Sequence, residues 1–341
     1  MTGRLTDRLT GRPELICPAG TPATLRAAVD AGADAVYCGF RNATNARNFA
    51  GLNFTPDEMR AAIAYAHAAG AKVLLALNTF PPAGQFELWK QAADIGTAIG
   101  IDAFIVADIG VAAYMAEQYP GSRLHLSVQA AASNPESIRY YCGEFGVRRV
   151  VLPRILTVPE IRRLKSEIPC EIETFVFGNH GLMVEGRCSL TNYAVGRSTN
   201  MDGACSPASE VHYQRGPDGS VTARLGCHVI DRFDRDEQAG YPTICKGRYV
   251  APVRDEPYYA FEEPVSLNLM GMLPDLIGAG VDAFKIEGRQ RSRAYVGAVV
   301  GAFRAAVDAA MAGRTPPAAD LVALTEGQKQ TRGAFATKKW R

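Results

Sequence analysis

Four cysteines, Cys188, Cys205, Cys227 and Cys245, stand in a stretch otherwise rich in Gly, Ser, Thr, Asn and Arg. Their spacing is C-x16-C-x21-C-x17-C, within "GRCS", "GACSP", "LGCH" and "ICKG". This is not the paired C-x2-C of a zinc ribbon. Thiolates from separate loops need only converge in space to hold an iron–sulfur cluster, and small neighbours let backbone N–H groups approach the sulfurs. The same side chains would also serve as buried structural thiols, a frequent role for free Cys. Spacing leaves both readings open. The other four cysteines read as structural: Cys38 and Cys170 in or beside strands, Cys142 on a helix, Cys17 at the end of the first strand.

A second polar set falls at the ends of apolar runs: Asn78, Asp108, Gln129, Arg154, Glu287 and Arg289. The basic side chains of "KIEGRQRS" suit an anionic substrate, because guanidinium pairs bidentately with carboxylate or phosphate. A rim ion pair is the structural alternative for each. The loop "RNATNARNFAGLNF" (41–54), with Asn45 and Arg47, suits a substrate lid or a plain solvated loop. His180 and His228 adjoin positions of interest, although a lone His is more often structural than a ligand. No H-E-x-x-H, G-x-S-x-G, P-loop or dinucleotide fingerprint occurs, and no Cys–His–Asn pattern.

These residues need a scaffold, and the chain supplies one. Short β-branched runs recur at 14–20, 34–40, 71–79, 102–108, 123–129, 148–154, 171–178 and 282–288. Between them lie stretches with apolar residues at i, i+3, i+4, often closed by Gly or Pro. Alternating β and α elements predict a parallel sheet. Eight units predict an α/β fold of the (β/α)8 TIM-barrel type, with an open doubly wound sheet as the alternative. The Cys-containing insertion lies between strands 7 and 8, hence at the barrel mouth. It is too long for a structureless connector and has few helix-period patterns, so the cysteines are expected to order it. The expected organisation is an N-terminal extension (1–13), barrel strands 1–7 (14–178), the insertion (179–260), barrel completion with strand 8 (261–313) and a tail (314–341) that is mobile at its end.

The chain has 341 residues, 47% apolar and 21% charged, with 37 basic against 35 acidic residues and a net charge of +2. This balance gives no overall pull toward nucleic acid. The N-terminus lacks an apolar signal region, and the apolar runs fall short of the roughly 20 residues of a membrane span, so a cytoplasmic location is expected. Thiols there stay reduced, which favours metal or catalysis over disulfides.

In order along the chain, "ELICPAG", "TNARNFAGLNF", "SVQA", "VVLPR", "FVFG", "EGRCSL", "GACSPA", "AGYPTICKGRY" and "KIEGRQRS" resemble the collagenase-like peptidase family, and within it the UbiU-like branch. That resemblance implies a 4Fe-4S cluster and a part in O2-independent hydroxylation of the ubiquinone ring. It implies a heterodimer with a UbiV-like sister protein, with a ubiquinone precursor and prephenate as small-molecule partners. Other members hydroxylate tRNA or rRNA bases, and the peptidase name is historical for many. The resemblance maps cluster ligands onto Cys188, Cys205 and Cys245. The family's first cysteine, after "FVFG", falls on Gly181 in "NHG". Three fourth ligands are then open: Cys227, which is favoured because thiolate is the usual donor; His180; or no protein group at all.

Overall fold

The computed structural model describes residues 11–181, 188–252, 254–317, 319–325 and 329–337. Through the first seven units the chain runs β1 (Glu14–Pro18), α1 (Pro22–Asp30), β2 (Ala35–Cys38), α2 (Pro56–Ala68), β3 (Lys72–Leu77), α3 (Glu87–Ala98) and β4 (Ala103–Val106). It continues with α4 (Ile109–Gln118), β5 (Leu124–Leu126), α5 (Pro135–Phe145), β6 (Val147–Val151), α6 (Val158–Glu167) and β7 (Glu171–Asn179). Local chemistry fixes the helix starts. Thr21, Thr55 and Thr157 form capping boxes at α1, α2 and α6, each with Pro in the first turn.

The strands run parallel in sequence order from β1 to β7. The later strand β14 (Ala283–Ile286) pairs with β1 on one side and β7 on the other, which closes the eight-stranded barrel and excludes the open sheet. Alternation sends Ile16, Ala35, Tyr37, Leu74, Ala103, Ile105 and Ala283 to an apolar cluster inside the barrel. The opposite faces join the helices in a larger outer core. At the N-terminal end the interior turns ionic. Buried Arg149 reaches Glu14 at 2.5 Å, Glu171 at 2.6 Å and Glu173 at 3.4 Å, and Lys285 reaches Glu173 at 2.6 Å.

The region after β7 is more regular than the sequence suggested. It holds α7 (Leu190–Val195), then an antiparallel sheet of β8 (Val211–Arg215), β9 (Val221–Leu225) and β10 (His228–Phe233), then a hairpin of β11 (Arg248–Ala251) and β12 (Arg254–Tyr259). Ala223, Leu225, Ile230 and Phe233 are buried apolar residues of its three-stranded sheet. Ordinary strand pairing, not cysteine chemistry alone, orders this segment. Its sequence signal is an Asp-Gly turn at 218–219 between alternating runs.

The chain then forms β13 (Ser266–Asn268), α8 (Leu273–Gly278), β14 and α9 (Arg293–Met311). α9 has 19 residues and a window of mean hydropathy 1.3, enough by length and composition to cross a membrane, contrary to the expectation from unbroken apolar runs. In the fold it packs on α1 and β1, with Val296, Val299, Val300, Phe303 and Val307 buried. The described part of the tail docks. β15 (Gln330–Thr331) pairs with β13, and Phe335 is buried. The tail's last residues, 338–341, and the extension's first ten lie outside the described residues.

Candidate functional site at the barrel mouth

The C-terminal strand ends bring most of the expected residues together. Arg47, Asn78, Gln129, Arg154, Glu287 and Arg289 all line one small cavity of about 70 Å³, floored by Tyr37, Ile105 and Phe175. Asn45 joins them from the side: its Oδ1 accepts from Arg289 at 3.2 Å. Asn78 bridges two loops, its Oδ1 accepting from the Ala46 N–H at 3.0 Å and its Nδ2 donating to Ser127 Oγ at 3.1 Å. The 41–54 loop is therefore pinned to the strand ends and forms a wall of the site.

Asp108 belongs elsewhere. Its carboxylate accepts the Val111 N–H at 3.0 Å and caps α4. A strand-end Asp directly before a helix has that role available locally, and here the helix start takes it.

Charge in the mouth is lopsided. Arg47, Arg154 and Arg289 surround Glu287, with Arg47 at 3.7 Å from its carboxylate, while Lys285 lines the same cavity but pairs with Glu173. Aromatic faces absorb part of the excess: Lys285 stands 3.9 Å from the Tyr37 ring centre, and the Arg154 guanidinium stacks 3.7 Å over Phe175. Burial, followed by the nearby Arg47 cation, lowers Arg289 to about 10 despite the opposing pull of Tyr37. Burial raises the Glu287 carboxyl, yet Arg47, Arg154 and Arg291 outweigh it and hold the group below its ordinary value. Such a site favours an added anion.

A larger cavity, about 460 Å³, lies above and shares Arg47 and Glu287 with the first. The inserted segment lines it with Cys205, Tyr241, Thr243 and Lys246. Here the cysteines separate into two groups. Cys188 and Cys205 share Thr191 as a neighbour, and the turn that carries Cys245 packs against α7, the helix that follows Cys188. Burial pushes Cys245 well up, and Glu262 and Cys205 push it further. Burial also raises Cys188, while the Leu190 and Thr191 N–H groups donate to its sulfur and draw it down. Thr191 Oγ1 lies 3.8 Å from Cys205 Sγ. Cys227 stands apart. It is exposed at the β9–β10 turn, and its carbonyl accepts from Arg224 at 3.4 Å.

His180 is also set among other groups. It is buried, and desolvation, then Arg154 and Lys246, depress it to about 4. The ring lies under the docked tail, so close that a Cβ on Gly333 would meet its Cε1 at 2.7 Å.

The thiol segment is fastened to the barrel. Asn48 N–H donates to Gly203 at 3.0 Å, Phe80 N–H to Asn200 at 3.0 Å, and Asn200 Nδ2 to the Cys188 carbonyl at 3.1 Å. At Gly203 a Cβ would lie 2.1 Å from the Asn45 carbonyl oxygen, so only glycine permits this approach. Ser206, beside Cys205, takes φ 49°, a conformation that costs a β-carbon residue about 1 kcal/mol or more.

Among the described residues, no three His, Cys, Asp or Glu side chains are gathered tightly enough to hold a single metal ion. Thiols drawn from separate loops are the donor type of a multi-iron group, whose thiolates attach to different irons. Cys188, Cys205 and Cys245 are half-buried, and thiolates there would be steadied by a cationic centre. Backbone donors to the Cys188 sulfur are of the kind that tune such clusters.

The chain belongs to peptidase family U32, whose model matches residues 20–338. It is 31% identical over 336 residues to tRNA hydroxylation protein P of Escherichia coli, covering 93% of this chain and 72% of that one. An uncharacterized protease of Methanocaldococcus jannaschii is 30% identical over 306 residues, 88% of this chain and 66% of its own length. A 23S rRNA 5-hydroxycytidine synthase of Escherichia coli is 28% identical over 331 residues, 96% of this chain and 44% of that protein. The chain thus spans between 44% and 72% of the length of these relatives.

Proposed function

We propose that this protein is an iron–sulfur subunit of an O2-independent hydroxylase of the UbiU type. It would act in the cytoplasm on a ubiquinone precursor, in a heterodimer with a UbiV-like sister and with prephenate as a co-substrate. Cys188, Cys205 and Cys245 would hold a 4Fe-4S cluster. Bound there, the cluster would supply electron transfer or substrate activation next to the cavity. One observation carries this reading: Cys205 lines the cavity that shares Arg47 and Glu287 with the cation-rich mouth. Arg47, Arg154 and Arg289 would bind the carboxylate of a small aromatic acid, while Tyr37 and Phe175 would flank its ring.

A second reading, base hydroxylation in RNA, draws on the likeness to tRNA hydroxylation protein P. The balanced net charge of +2 counts against a broad RNA footprint. Peptidase chemistry has less support. Ser127 Oγ in the mouth meets the Asn78 amide and the Gln129 N–H, not a histidine base.

The test is anaerobic purification with iron, acid-labile sulfide and EPR, on wild type and Cys245→Ser. About four of each per wild-type chain, lost in the variant, is expected for a cubane cluster. A chain without iron, alone and with its sister protein, overturns the reading. Retention of tRNA at physiological salt would transfer the proposal to RNA.

A further inference from the structure

Lys285 stands in β14 with its side chain inside the barrel, 5% exposed, and lines the lower cavity. Its ammonium donates to Glu173 Oε1 at 2.6 Å and lies 3.9 Å from the centre of the Tyr37 ring. Among the described residues no other acceptor takes its remaining N–H. Glu173 is fully buried, so both members of the pair are out of water. Arg289 shares the Tyr37 ring, 5.5 Å from its centre, and sets a second cation near the first. The β14–β7 ladder shifts register directly after Lys285, the kind of bulge that re-aims side chains beside active sites. Burial lowers the amine, Glu173 pulls it back up, and Arg289 and Arg149 lower it again, which leaves it below its ordinary value.

A desolvated amine with a second cation close by and a base in contact is the setting in which lysine acts as a nucleophile. Lys246, the other buried lysine among the described residues, lines the upper cavity and donates to the Asn179 side chain, a neutral group that takes no proton. Arg154 and Arg289 line the lower cavity with Lys285 and offer guanidinium groups to a carboxylate. The space there, about 70 Å³, suits a small molecule. In a 2-oxo acid the carbonyl carbon adjoins the carboxylate, so one small molecule meets the arginines and the amine together.

We propose that Lys285 is a nucleophile that forms a Schiff base with a small 2-oxo acid, whose carboxylate pairs with Arg289 and Arg154. The inference rests on the anion-binding mouth described above and not on the iron–sulfur cluster. The ammonium first gives a proton to Glu173, and the resulting neutral pair has less charge to bury. The nitrogen lone pair attacks the carbonyl carbon, a C–N bond forms, and a nitrogen proton passes to the carbonyl oxygen to give a carbinolamine. Glu173 returns its proton to that hydroxyl, which leaves as water. The protonated imine then faces the Glu173 carboxylate in place of the ammonium. No net charge is created, and no oxidant or reductant is used.

The experiment adds pyruvate and then borohydride to the whole chain, as wild type, Lys285→Arg, Lys246→Met and Arg289→Met. Intact mass and peptide mapping locate the reduced adduct. A parallel assay without borohydride follows loss of labelled oxygen from the pyruvate carbonyl to water, and calorimetry follows binding. One adduct per chain, on the Lys285 peptide, is expected in wild type and in Lys246→Met. Lys285→Arg keeps a cation for Glu173 and should form no adduct and exchange no oxygen. Arg289→Met should need roughly 30-fold more pyruvate for the same yield, as for one lost charge-assisted hydrogen bond. Acetone, a carbonyl without a carboxylate, should label poorly. If Lys285→Arg does not fold, the wild-type peptide map and oxygen exchange decide the matter. Adducts spread over surface lysines, or found on Lys246 alone, overturn the proposal. Pyruvate binding without adduct or exchange overturns it too but leaves the anion-binding mouth standing, and absence of binding removes both. Iron content, counted on the same samples, reports on the iron–sulfur reading separately.

Discussion

The two ends of the barrel interior treat charge in opposite ways. At the N-terminal end, Arg149 is enclosed by Glu14, Glu171 and Glu173, while Lys72 and Arg123 complete the pairing with Glu14 and Glu171. Every charge there has an opposite within ion-pair distance. At the mouth, three arginines crowd one carboxylate, with Arg154 stacked on Phe175, and Lys285 links the two ends through Glu173. The first arrangement closes on itself and has no use for a ligand. The second carries more cation than carboxylate, which favours an added anion. The difference matches the general division of labour in such barrels, with stability below and chemistry above.

The comparison breaks most visibly at Arg149. Replacing it with Met leaves Glu14, Glu171 and the buried Glu173 with one cation each, Lys72, Arg123 and Lys285, and should cost about 3 kcal/mol of stability. Denaturant unfolding at neutral pH measures it. The pH dependence should also reverse. In the wild type, burial raises Glu14 and Glu171, but Arg149 with Lys72 or Arg123 outweighs it and lowers both. Their contribution is present above the ordinary carboxylate range and is lost as pH falls through the lowered values. Without Arg149, burial and mutual repulsion raise the carboxyls, so the variant should gain stability relative to neutral pH as it is acidified through that range. An unchanged acid limb would show that the network does not hold these groups.

A smaller and opposite effect is expected at the mouth. Arg289→Met should weaken binding of a small dicarboxylate such as prephenate by about 2 kcal/mol, roughly 30-fold in Kd, as for one lost charge-assisted hydrogen bond. Stability should be unchanged or slightly higher, since burial and Arg47 already disfavour this cation. Calorimetric titration beside an unfolding curve separates the two. A large stability loss with intact binding would make the mouth a second structural network. The smallest effect is reserved for Asp108→Ala, about 1 kcal/mol of stability through the lost cap, with ligand binding and iron content unmoved.

Much of this was legible in the chain. Continuous β-branched apolar runs and Gly-closed helices located all eight barrel strands, because burial on both faces leaves a strong local signature. The same logic located the strand-end polar residues, since closing a barrel carries every strand end to one rim. Asp108 reads as one of them because a cap and a catalytic carboxylate look alike until the following helix is built. The sheet of β8 to β10 also has its Asp-Gly turn and alternation in the sequence. Strands that short, half-exposed and set among Gly, Asp and Arg, carry too weak an apolar signal to stand out.

Sequence alone therefore determined the barrel and the place of its insertion, both set by local periodicity and chain order. Tertiary structure decided what no spacing encodes. Cys227 lies on an exposed turn while Cys188 and Cys205 share Thr191 as a neighbour, and Glu262 is buried while Glu263 meets solvent. Neighbouring residues of one type are indistinguishable in sequence. Long-range docking turns one inward and leaves the other in water, and only the inward one is desolvated and close enough to others to share a site.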